Sequence, residues 1–374
     1  MSELLTYSEE FLKSNNGYWT AKEICQQPRI WREAGNNVDV KRAEINDWLA
    51  PVLAKENLRI ILTGAGTSAY VGESIAPHLS AQLGRQVEAI STTNIVSNPN
   101  QYLLKDKPTL VVSYGRSGNS PESVAAVKLV DQVVDDSYHL VLTCNPEGHL
   151  ATNAQAQDNS YSLLMPEGTL DQSFAMTSSF SSMLVSTLCI FSPDSKQLTA
   201  AAVAAESFFA NGINTVKTQA QLEVQRLVFL GSGGLQGIAK EAALKVLELT
   251  AGKVISYFES PLGFRHGPKS LVDESTEIIF FSSTDGYTKQ YDQDLLAELA
   301  RDKQAAAITI LNGSLFGDFT NLDDVWAGLP YIVYCQVFSF FKSINANITP
   351  DNPCPTGEVN RVVQGVTLYP LEDK

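Results

Sequence analysis

Residues 58–68 have the sequence Leu58-Arg59-Ile60-Ile61-Leu62-Thr63-Gly64-Ala65-Gly66-Thr67-Ser68, which begins the first clear strand-loop-helix unit of the chain. Its first half is aliphatic and predicts a buried strand. The glycines of its second half allow the backbone to turn sharply and to approach a ligand. Ala69 to Leu83 then shows helical periodicity and ends at Gly84, so the stretch predicts a strand, a glycine loop and a helix in succession.

The same order of residues occurs a second time further along the chain. Arg226–Leu230 leads into Gly231–Gly234, and a helical pattern follows from Leu235 to Leu249. Each unit is followed by another predicted strand, Thr109–Ser113 in the first case and Glu277–Ser282 in the second, and then by a loop and a helix. Because strands that alternate with helices form parallel sheets covered by helices, the repeat predicts two α/β lobes of similar, Rossmann-like fold.

We predict four parts of the chain from this arrangement. They are an N-terminal helical arm (residues 1–50), a first α/β domain (51–205), a second α/β domain (206–345) and a C-terminal tail (346–374). The polar, Ala-rich residues 192–225 are expected to form connecting helices, and Gly365–Tyr369 is expected to be β-like.

Composition excludes several classes of protein. Hydrophobic residues make up 44% of the 374 residues and charged residues 18%, so the chain is long and apolar enough for a sizeable core and is not a disordered protein. The net charge is -14, and no run of Lys or Arg offers the basic face that nucleic-acid binding requires. An anionic ligand must therefore be held locally, by backbone N–H groups, hydroxyls and helix ends.

Cysteine and histidine usage argues against a metal site. The five cysteines are scattered without CxxC spacing, and the four histidines include no pair at i, i+4 spacing with a carboxylate. We expect no metal and no disulfide framework. Residues 1–10 do not form a signal peptide, and the apolar stretch Leu329–Phe341 is too short to cross a bilayer, so a cytoplasmic location without membrane contact is expected.

The first glycine loop is a candidate anion site through Gly66, Thr67 and Ser68. A helix that begins directly after glycines offers free N–H groups to a phosphate. The simpler interpretation is a tight turn between strand and helix. A dinucleotide-binding loop is a third interpretation, in which Ala69 and Glu88 would complete the pattern.

The second candidate is the serine-rich loop that follows the strand at residues 109–113. Ser120 is suited to cap the next helix and Pro121 to occupy its first position. Arg116, Ser117 and Ser120 together form a predicted phosphate site at that helix N-terminus. A well-capped helix without a ligand is the alternative.

Two groups later in the chain are candidates for proton transfer. Glu241, Lys245 and Glu248 lie on one face of the predicted helix, an arrangement that is more often an exposed row of ion pairs. His266 lies in a loop between Arg265 and Gly267, where it suits general acid/base work, although a surface histidine in a basic turn is equally consistent.

Taken together, these residues resemble the SIS (sugar isomerase) family, whose members bind phosphosugars at Ser-rich loops. The chain is similar in particular to the isomerase half of glucosamine-6-phosphate synthase and, more closely, to galactosamine-6-phosphate deaminase/isomerases, also described as tagatose-6-phosphate ketose/aldose isomerases. The stretches that carry the resemblance are Leu58–Ser68, Tyr114–Val127, Gly231–Val272, Phe174–Ser179 and Val359–Gly365. It covers nearly the whole chain and implies two tandem SIS lobes, each a three-layer αβα structure.

The resemblance also implies roles for individual residues. Glu248 would move the proton between C1 and C2 of the sugar, His266 would assist ring opening, and Lys245 would assist Glu248. The further substrate contacts that it implies are Ser173, Arg265 and, in a C-terminal tail near the active site, Gln364. Because Gln364 stands near the position of the Schiff-base lysine of the synthase, a covalent imine through this residue is not expected.

The expected activity follows from this resemblance. It is deamination and isomerisation of D-galactosamine 6-phosphate to D-tagatose 6-phosphate and ammonia, by a hydrolase or isomerase that uses no cofactor and no metal. A homodimer or higher homo-oligomer, in which a neighbouring subunit contributes His266, is also implied. The alternatives are a plain ketose/aldose isomerase, a non-catalytic sugar-phosphate sensor and, least favoured, an NAD-dependent dehydrogenase.

Overall fold

The structure is a computed structural model that describes residues 3–317, 319 and 321–372. The chain divides into two compact units, each with one parallel sheet. The unit called the first lobe below comprises Glu33–Asp171, Ser178–Pro193 and Gly357–Lys374. The unit called the second lobe comprises Met1–Arg32, Gln172–Thr177 and Asp194–Thr356.

Strands and helices alternate along most of the described chain. The strands are β1 (Arg59–Thr63), β2 (Val87–Ala89), β3 (Thr109–Gly115), β4 (Ser137–Thr143), β5 (Ser160–Leu164), β6 (Arg226–Leu230), β7 (Ile255–Glu259), β8 (Thr276–Phe281) and β9 (Ala307–Leu311). The helices are α1 (Glu9–Ser14), α2 (Tyr18–Cys25), α3 (Gln27–Val40), α4 (Arg42–Leu53), α5 (Thr67–Leu83), α6 (Thr92–Ser97), α7 (Pro99–Tyr102), α8 (Pro121–Val133), α9 (His149–Ala154), α10 (Ser178–Phe191), α11 (Ser195–Asn211), α12 (Ile213–Gln219), α13 (Gly234–Leu249), α14 (Pro261–Phe264), α15 (Thr288–Asp302), α16 (Gly313–Phe316) and α17 (Asp324–Asn345). A 3-10 turn spans Pro268–Leu271.

The first lobe is built on a five-stranded parallel sheet of order β2-β1-β3-β4-β5. Strand β1 lies between β2 and β3, with Ile60 opposite both Val87 and Leu110. Ile61 and Val111 pack with residues of α8 in one core cluster, which explains why these strands are continuously apolar. The strand order changes direction between β1 and β3, and ligands of open α/β sheets bind at the carboxyl ends of strands at such a point.

The second lobe repeats the plan with four strands in the order β7-β6-β8-β9, again all parallel. Its strand order changes direction between β6 and β8. Helix α17, almost entirely buried, packs against α13 and α11. The two predicted parallel α/β lobes are therefore confirmed.

The glycine loops of the two lobes have the same backbone conformation. Gly66 has φ 55° and ψ -129°, and Gly233 has φ 57° and ψ -128°. A Cβ atom on Gly64 would lie 2.6 Å from the backbone of Ser68, and one on Gly231 would lie 2.6 Å from the carbonyl oxygen of Leu235. Both loops thus require glycine because the helix begins directly above the strand.

The predicted domain boundaries at residues 50, 205 and 345 stay predictions, and the compact units divide the chain differently. Helices do occupy the N-terminal segment, as α1 to α4. However, residues 1–32 belong to the second lobe, and the tail from Gly357 belongs to the first. The β-like prediction for Gly365–Tyr369 is wrong, since this segment forms no strand with any described residue.

Candidate active site

The glycine loop after β1 places two hydroxyls at the start of a long helix. Gly66 precedes the first residue of α5, and Thr67 and Ser68 form its first turn. Both side chains are buried. The N–H groups of a first helical turn lack partners within the helix and carry partial positive charge, so they attract an anion.

The serine loop after β3 ends at the start of α8. Ser120 occupies the position before the helix and Pro121 the first position, as predicted. The side chain of Ser120 makes no capping hydrogen bond, because its hydroxyl donates to the carboxylate of Glu122 at 2.9 Å. Ser117 Oγ accepts from the N–H of Asn119 at 3.2 Å. An anion at Ser120 would have to replace Glu122 as acceptor.

Arg116 is held by the C-terminal tail of the same lobe. Its side chain is almost completely buried, and its Nη2 donates to the backbone carbonyl of Arg361 at 2.6 Å. The guanidinium of Arg361 in turn donates to the carbonyl of Asp171. Arg116 therefore has a fixed direction at the loop that carries Ser117 and Ser120.

The corresponding loops of the second lobe are filled by carboxylates of the chain itself. Asp324 accepts from the hydroxyl of Ser283 and from both the N–H and the hydroxyl of Thr284 at 2.6–2.8 Å. Asp292 accepts from the N–H of Ser283 at 2.8 Å and from the hydroxyl of Ser232 at 3.1 Å. The donors that could hold an anion here are already engaged by two internal anions.

The row Glu241, Lys245 and Glu248 lies on α13 in the second lobe. Lys245 Nζ is 3.3 Å from Glu241 Oε1 and donates to Glu248 Oε2. Glu241 and Lys245 are fully buried, whereas the Glu248 side chain is 20% exposed. The alternative of an exposed row of ion pairs is therefore wrong.

Lys245 remains charged despite its burial. Burial itself lowers the pKa of a lysine, but the Coulomb attraction of Glu241 and of Glu248, with their hydrogen bonds, outweighs it and raises the pKa of Lys245. An ammonium ion thus sits beside the accessible carboxylate of Glu248. This is an arrangement in which a carboxylate can exchange protons with a ligand while its neighbour stays cationic.

His266 lies in the turn between α14 and the 3-10 turn and is exposed. The backbone N–H of His266 donates to the carbonyl of Gly263 at 2.9 Å. The next residue, Gly267, has φ 125°, a conformation that favours glycine. Among the described residues the imidazole makes no hydrogen bond. Its ring nitrogens are therefore accessible to a ligand or to another chain.

The basic residues beside His266 serve the fold. Arg265 bonds to Asp294 at 2.8 Å and to Glu298 at 2.9 Å, and Lys269 bonds to Glu298 and Asp302. These ion pairs tie the turn to α15. Arg265 as a substrate contact stays a prediction, and a ligand there would compete with two carboxylates for its guanidinium.

Two other predicted contacts have different surroundings. Ser173 is fully buried in the second lobe, where its hydroxyl donates to Glu23 and to the carbonyl of Ala175. The predicted substrate contact of Ser173 stays a prediction, and its hydroxyl is already engaged by Glu23. Gln364 is exposed in the tail. The sequence predicts Gln364 as the contact in this tail and does not indicate Arg361. The group of Arg361 that contacts Arg116 is its backbone carbonyl, which every residue has.

The dinucleotide interpretation finds no support at the acidic position. Glu88, at the centre of β2, accepts hydrogen bonds from Nε and Nη2 of Arg59. Within the described ranges no group of three or more His, Cys, Asp or Glu side chains is arranged to hold a metal ion. Over the same residues, no helix is long and apolar enough to cross a membrane.

The lobes and their loops define a class of α/β proteins that the comparisons identify. Residues 52–193 and 222–322 match the SIS domain family. The chain belongs to the SIS family, as the sequence predicted.

Full-length relatives share much more than the fold. The chain is 52% identical to the D-galactosamine-6-phosphate deaminase AgaS of Shewanella sp. (strain ANA-3) over 370 residues. The aligned region covers 98% of this chain and 96% of that protein. It is 46% identical over 376 residues to the AgaS protein of Escherichia coli, with 95% and 97% covered. The crystal structure of tagatose-6-phosphate ketose/aldose isomerase from Escherichia coli has a TM-score of 0.88 and 44% identity, with 96% of this chain and 98% of that chain covered.

Proposed function

We propose that this protein is a deaminating isomerase that converts D-galactosamine 6-phosphate and water to D-tagatose 6-phosphate and ammonia. The observation that carries the proposal is the row on α13, in which buried Glu241 and Lys245 support an accessible Glu248. Such a row suits proton transfer and not only binding. The likeness to AgaS deaminases at 46–52% identity supports the choice of substrate.

Binding of the phosphate is assigned to the first lobe. Helices α5 and α8 begin at the strand ends where its sheet changes direction, and the partial positive charge at the N-terminus of each helix favours an anion there. The hydroxyls of Ser68, Ser117 and Ser120 would donate hydrogen bonds, and Arg116 would supply a positive charge in a chain whose net charge is -14. Gly66 and Thr67 contribute the backbone of the first loop.

Proton transfer is assigned to the second lobe. His266 would assist opening of the sugar ring by giving a proton to the ring oxygen. Glu248 as a carboxylate would then remove the proton from C2 of the open aldehyde and deliver it to C1. The nitrogen then loses one proton and the oxygen on C1 gains one, so the product is an imine at C2 with a hydroxyl at C1. Water adds to that imine and ammonia leaves, so the ketose forms without a covalent bond to the protein.

Lys245 would hold Glu248 in place and stabilise negative charge that develops on the sugar oxygen. Its raised pKa keeps it protonated throughout the neutral range, so it would act as a cation and not as a base. A general base of this kind contributes on the order of 10²–10⁴-fold to the rate.

The test is release of ammonia by the purified protein from D-galactosamine 6-phosphate, with D-glucosamine 6-phosphate in parallel. Glu248→Gln is the matched control, because it keeps the shape and removes the base. Ammonia from the first sugar that the control abolishes would support the proposal. Binding of the sugar phosphate without any ammonia would overturn it and favour a sensor.

A plain tagatose-6-phosphate ketose/aldose isomerase is the second candidate. The name of the Escherichia coli structure with a TM-score of 0.88 favours it. It would use the same Glu248 on a sugar without the amine. Formation of an aldose phosphate from D-tagatose 6-phosphate, with no ammonia from the amino sugar, would support this candidate over the first.

We also propose that His266 acts in a site completed by another copy of the chain in a homo-oligomer. Its exposure, and the absence of a hydrogen bond from its imidazole to the described residues, support this. A mixture of Glu248→Gln and His266→Ala proteins should regain activity that neither has alone, because mixed oligomers contain one intact pair. If the mixture stays as inactive as the two variants, the histidine acts within its own chain.

We propose a cytoplasmic location as well, because a sugar phosphate is charged and does not cross a membrane unaided. Cell fractionation tests this: recovery of the activity in the membrane or external fraction would contradict it.

A further inference from the structure

The C-terminal tail of the first lobe is attached to the phosphate loop through Arg361. The carbonyl of Arg361 accepts from Arg116 at 2.6 Å, and the guanidinium of Arg361 donates to the carbonyl of Asp171. Over residues 357–372 the chain forms no helix or strand, and most of it is exposed. A segment of this kind has no regular structure to hold it, so individual hydrogen bonds decide its position.

The anchor of Arg361 is rigid. The carboxylate of Asp171 is fully buried and accepts from the hydroxyls of Ser178 and Ser179 and from the N–H of Ser179 at 2.5–3.0 Å. Those serines begin α10, all of whose residues are buried. Asp171 therefore offers its carbonyl to Arg361 from a fixed position.

Arg116 is fixed at the other end of the same contact. Its side chain is only 6% exposed, and it lies directly before Ser117 in the candidate phosphate loop. A guanidinium is planar and donates several hydrogen bonds in set directions, so the bond from Nη2 to the tail carbonyl restricts the directions open to its other N–H groups. Those directions decide whether the other N–H groups can meet a phosphate in line.

We propose that Arg361 is a positioning residue, which orients Arg116 for the substrate phosphate by holding the tail carbonyl against it. The proposal rests on the proposed function, because it assumes that Arg116 binds the phosphate of the sugar. It adds a residue that touches neither the phosphate nor the reacting carbons. Loss of the Arg361 side chain would leave the tail carbonyl in place only part of the time, and Arg116 would meet the phosphate in fewer molecules.

The first test is steady-state deamination of D-galactosamine 6-phosphate by Arg361→Ala. Because phosphate binding is equal in the ground state and the transition state, KM should rise on the order of tenfold while kcat stays within about twofold. Arg361→Lys should recover most of the loss, since an ammonium can also donate to the Asp171 carbonyl. An unchanged KM in Arg361→Ala would overturn the proposal.

Two control variants separate this role from general attachment of the tail. Gln132→Ala removes the hydrogen bond that Gln132 donates to the carbonyl of Leu371 at 2.9 Å, a second attachment of the same tail. Arg85→Ala removes a half-buried arginine of the same lobe. Both should keep the normal KM. If Gln132→Ala raised KM as much as Arg361→Ala does, order in the tail and not the direction of Arg116 would be the cause.

The decisive test is whether the two arginines act as one unit. In an Arg116→Ala background, Arg361→Ala should change KM by less than about twofold, because the group that it positions is already absent. Independent effects, which multiply in the double variant, would overturn the proposal.

Binding of inorganic phosphate separates this inference from the deaminase. Its Kd, measured by calorimetry, should rise in Arg361→Ala by about the factor seen in KM. A rise in Kd without any ammonia from the wild type would contradict the proposed function and keep the inference. If the wild type deaminates the sugar normally and the phosphate Kd of Arg361→Ala equals that of the wild type, the proposed function stands and the inference is contradicted.

Discussion

The two lobes begin alike and end with opposite chemistry. The glycines Gly66 and Gly233 of their loops match within a few degrees in φ and ψ. The strand order changes direction between β1 and β3 in the first lobe and between β6 and β8 in the second. In the first lobe the loop after the second of these strands carries Arg116 and hydroxyls. In the second lobe the corresponding donors, on Ser283 and Thr284, are engaged by Asp324 and Asp292.

The helices that follow the glycine loops differ in the complementary way. When Gly66 and Gly233 are aligned, the positions of Glu241, Lys245 and Glu248 on α13 correspond on α5 to Ser74, His78 and Ala81. The aligned positions of α5 therefore carry no carboxylate. At the matching loops of the second lobe, the hydroxyls of Ser283 and Thr284 already donate to Asp324. Under the proposed function, the first lobe uses this shared scaffold for phosphate binding and the second lobe uses it for proton transfer.

The largest effect is expected at the base of the second lobe. Glu248→Gln should lower kcat for ammonia release by about 10²–10⁴-fold, because the amide cannot accept the proton from C2. Rates of ammonia release at saturating substrate measure this. A loss below tenfold would mean that proton transfer does not depend on α13, and the division between the lobes would fail.

Stability should depend strongly on Lys245. Lys245→Met leaves the fully buried carboxylate of Glu241 without its cation and should lower the free energy of unfolding by about 3–5 kcal/mol. The double variant Glu241→Gln with Lys245→Met should regain part of this, since no buried charge is left uncompensated. Denaturant unfolding measures both. A single variant as stable as the wild type would contradict the buried pairing.

Matched serine variants compare the two lobes directly. Ser117→Ala should raise KM by roughly 10–100-fold, as expected for a lost hydrogen bond to a charged group. Ser283→Ala removes the corresponding kind of hydroxyl in the second lobe, where it serves Asp324, and should leave KM unchanged. Initial rates over a range of substrate concentrations decide the point. Equal effects from both variants would mean that the second lobe also binds phosphate.

The smallest effect concerns acid stability of the second lobe alone. Hydrogen bonds from the hydroxyl and the N–H of Ser275, then from Thr276 and Arg226, lower the pKa of Asp273 to about 2. Because this pKa lies below the usual value of about 3.9, the carboxylate contributes stability above pH 4 that is lost as the pH falls towards 2. Asp273→Asn should lack this part of the pH dependence, which thermal unfolding between pH 2 and pH 6 measures. Parallel curves for the two proteins would contradict it.

The sequence predicted the parts of the structure that depend on local pattern. Glycines with fixed spacing after apolar strands specify the strand-loop-helix units, so both lobes and the ends of α5, β6 and α13 were predicted within two residues. The row on α13 was visible from its spacing alone. Its burial was not, because that depends on α17 and other elements distant in sequence.

The surroundings that the sequence did not predict are contacts between distant residues. Ser173 is held by Glu23, and Arg265 by carboxylates of α15, neither of which the local sequence indicates. Arg116 contacts a backbone carbonyl 245 residues away, a group that every residue has. The tail at Gly365–Tyr369 has a β-like composition and no strand to pair with, so composition alone was misleading there.

Calorimetry of Glu248→Gln with D-galactosamine 6-phosphate tests most directly the claim that one lobe binds and the other transfers protons. We expect one sugar phosphate to bind per chain, at least about as tightly as inorganic phosphate binds to the wild type, and no ammonia to form. Loss of binding together with activity, or two sugar phosphates bound per chain, would contradict the division of roles between the lobes.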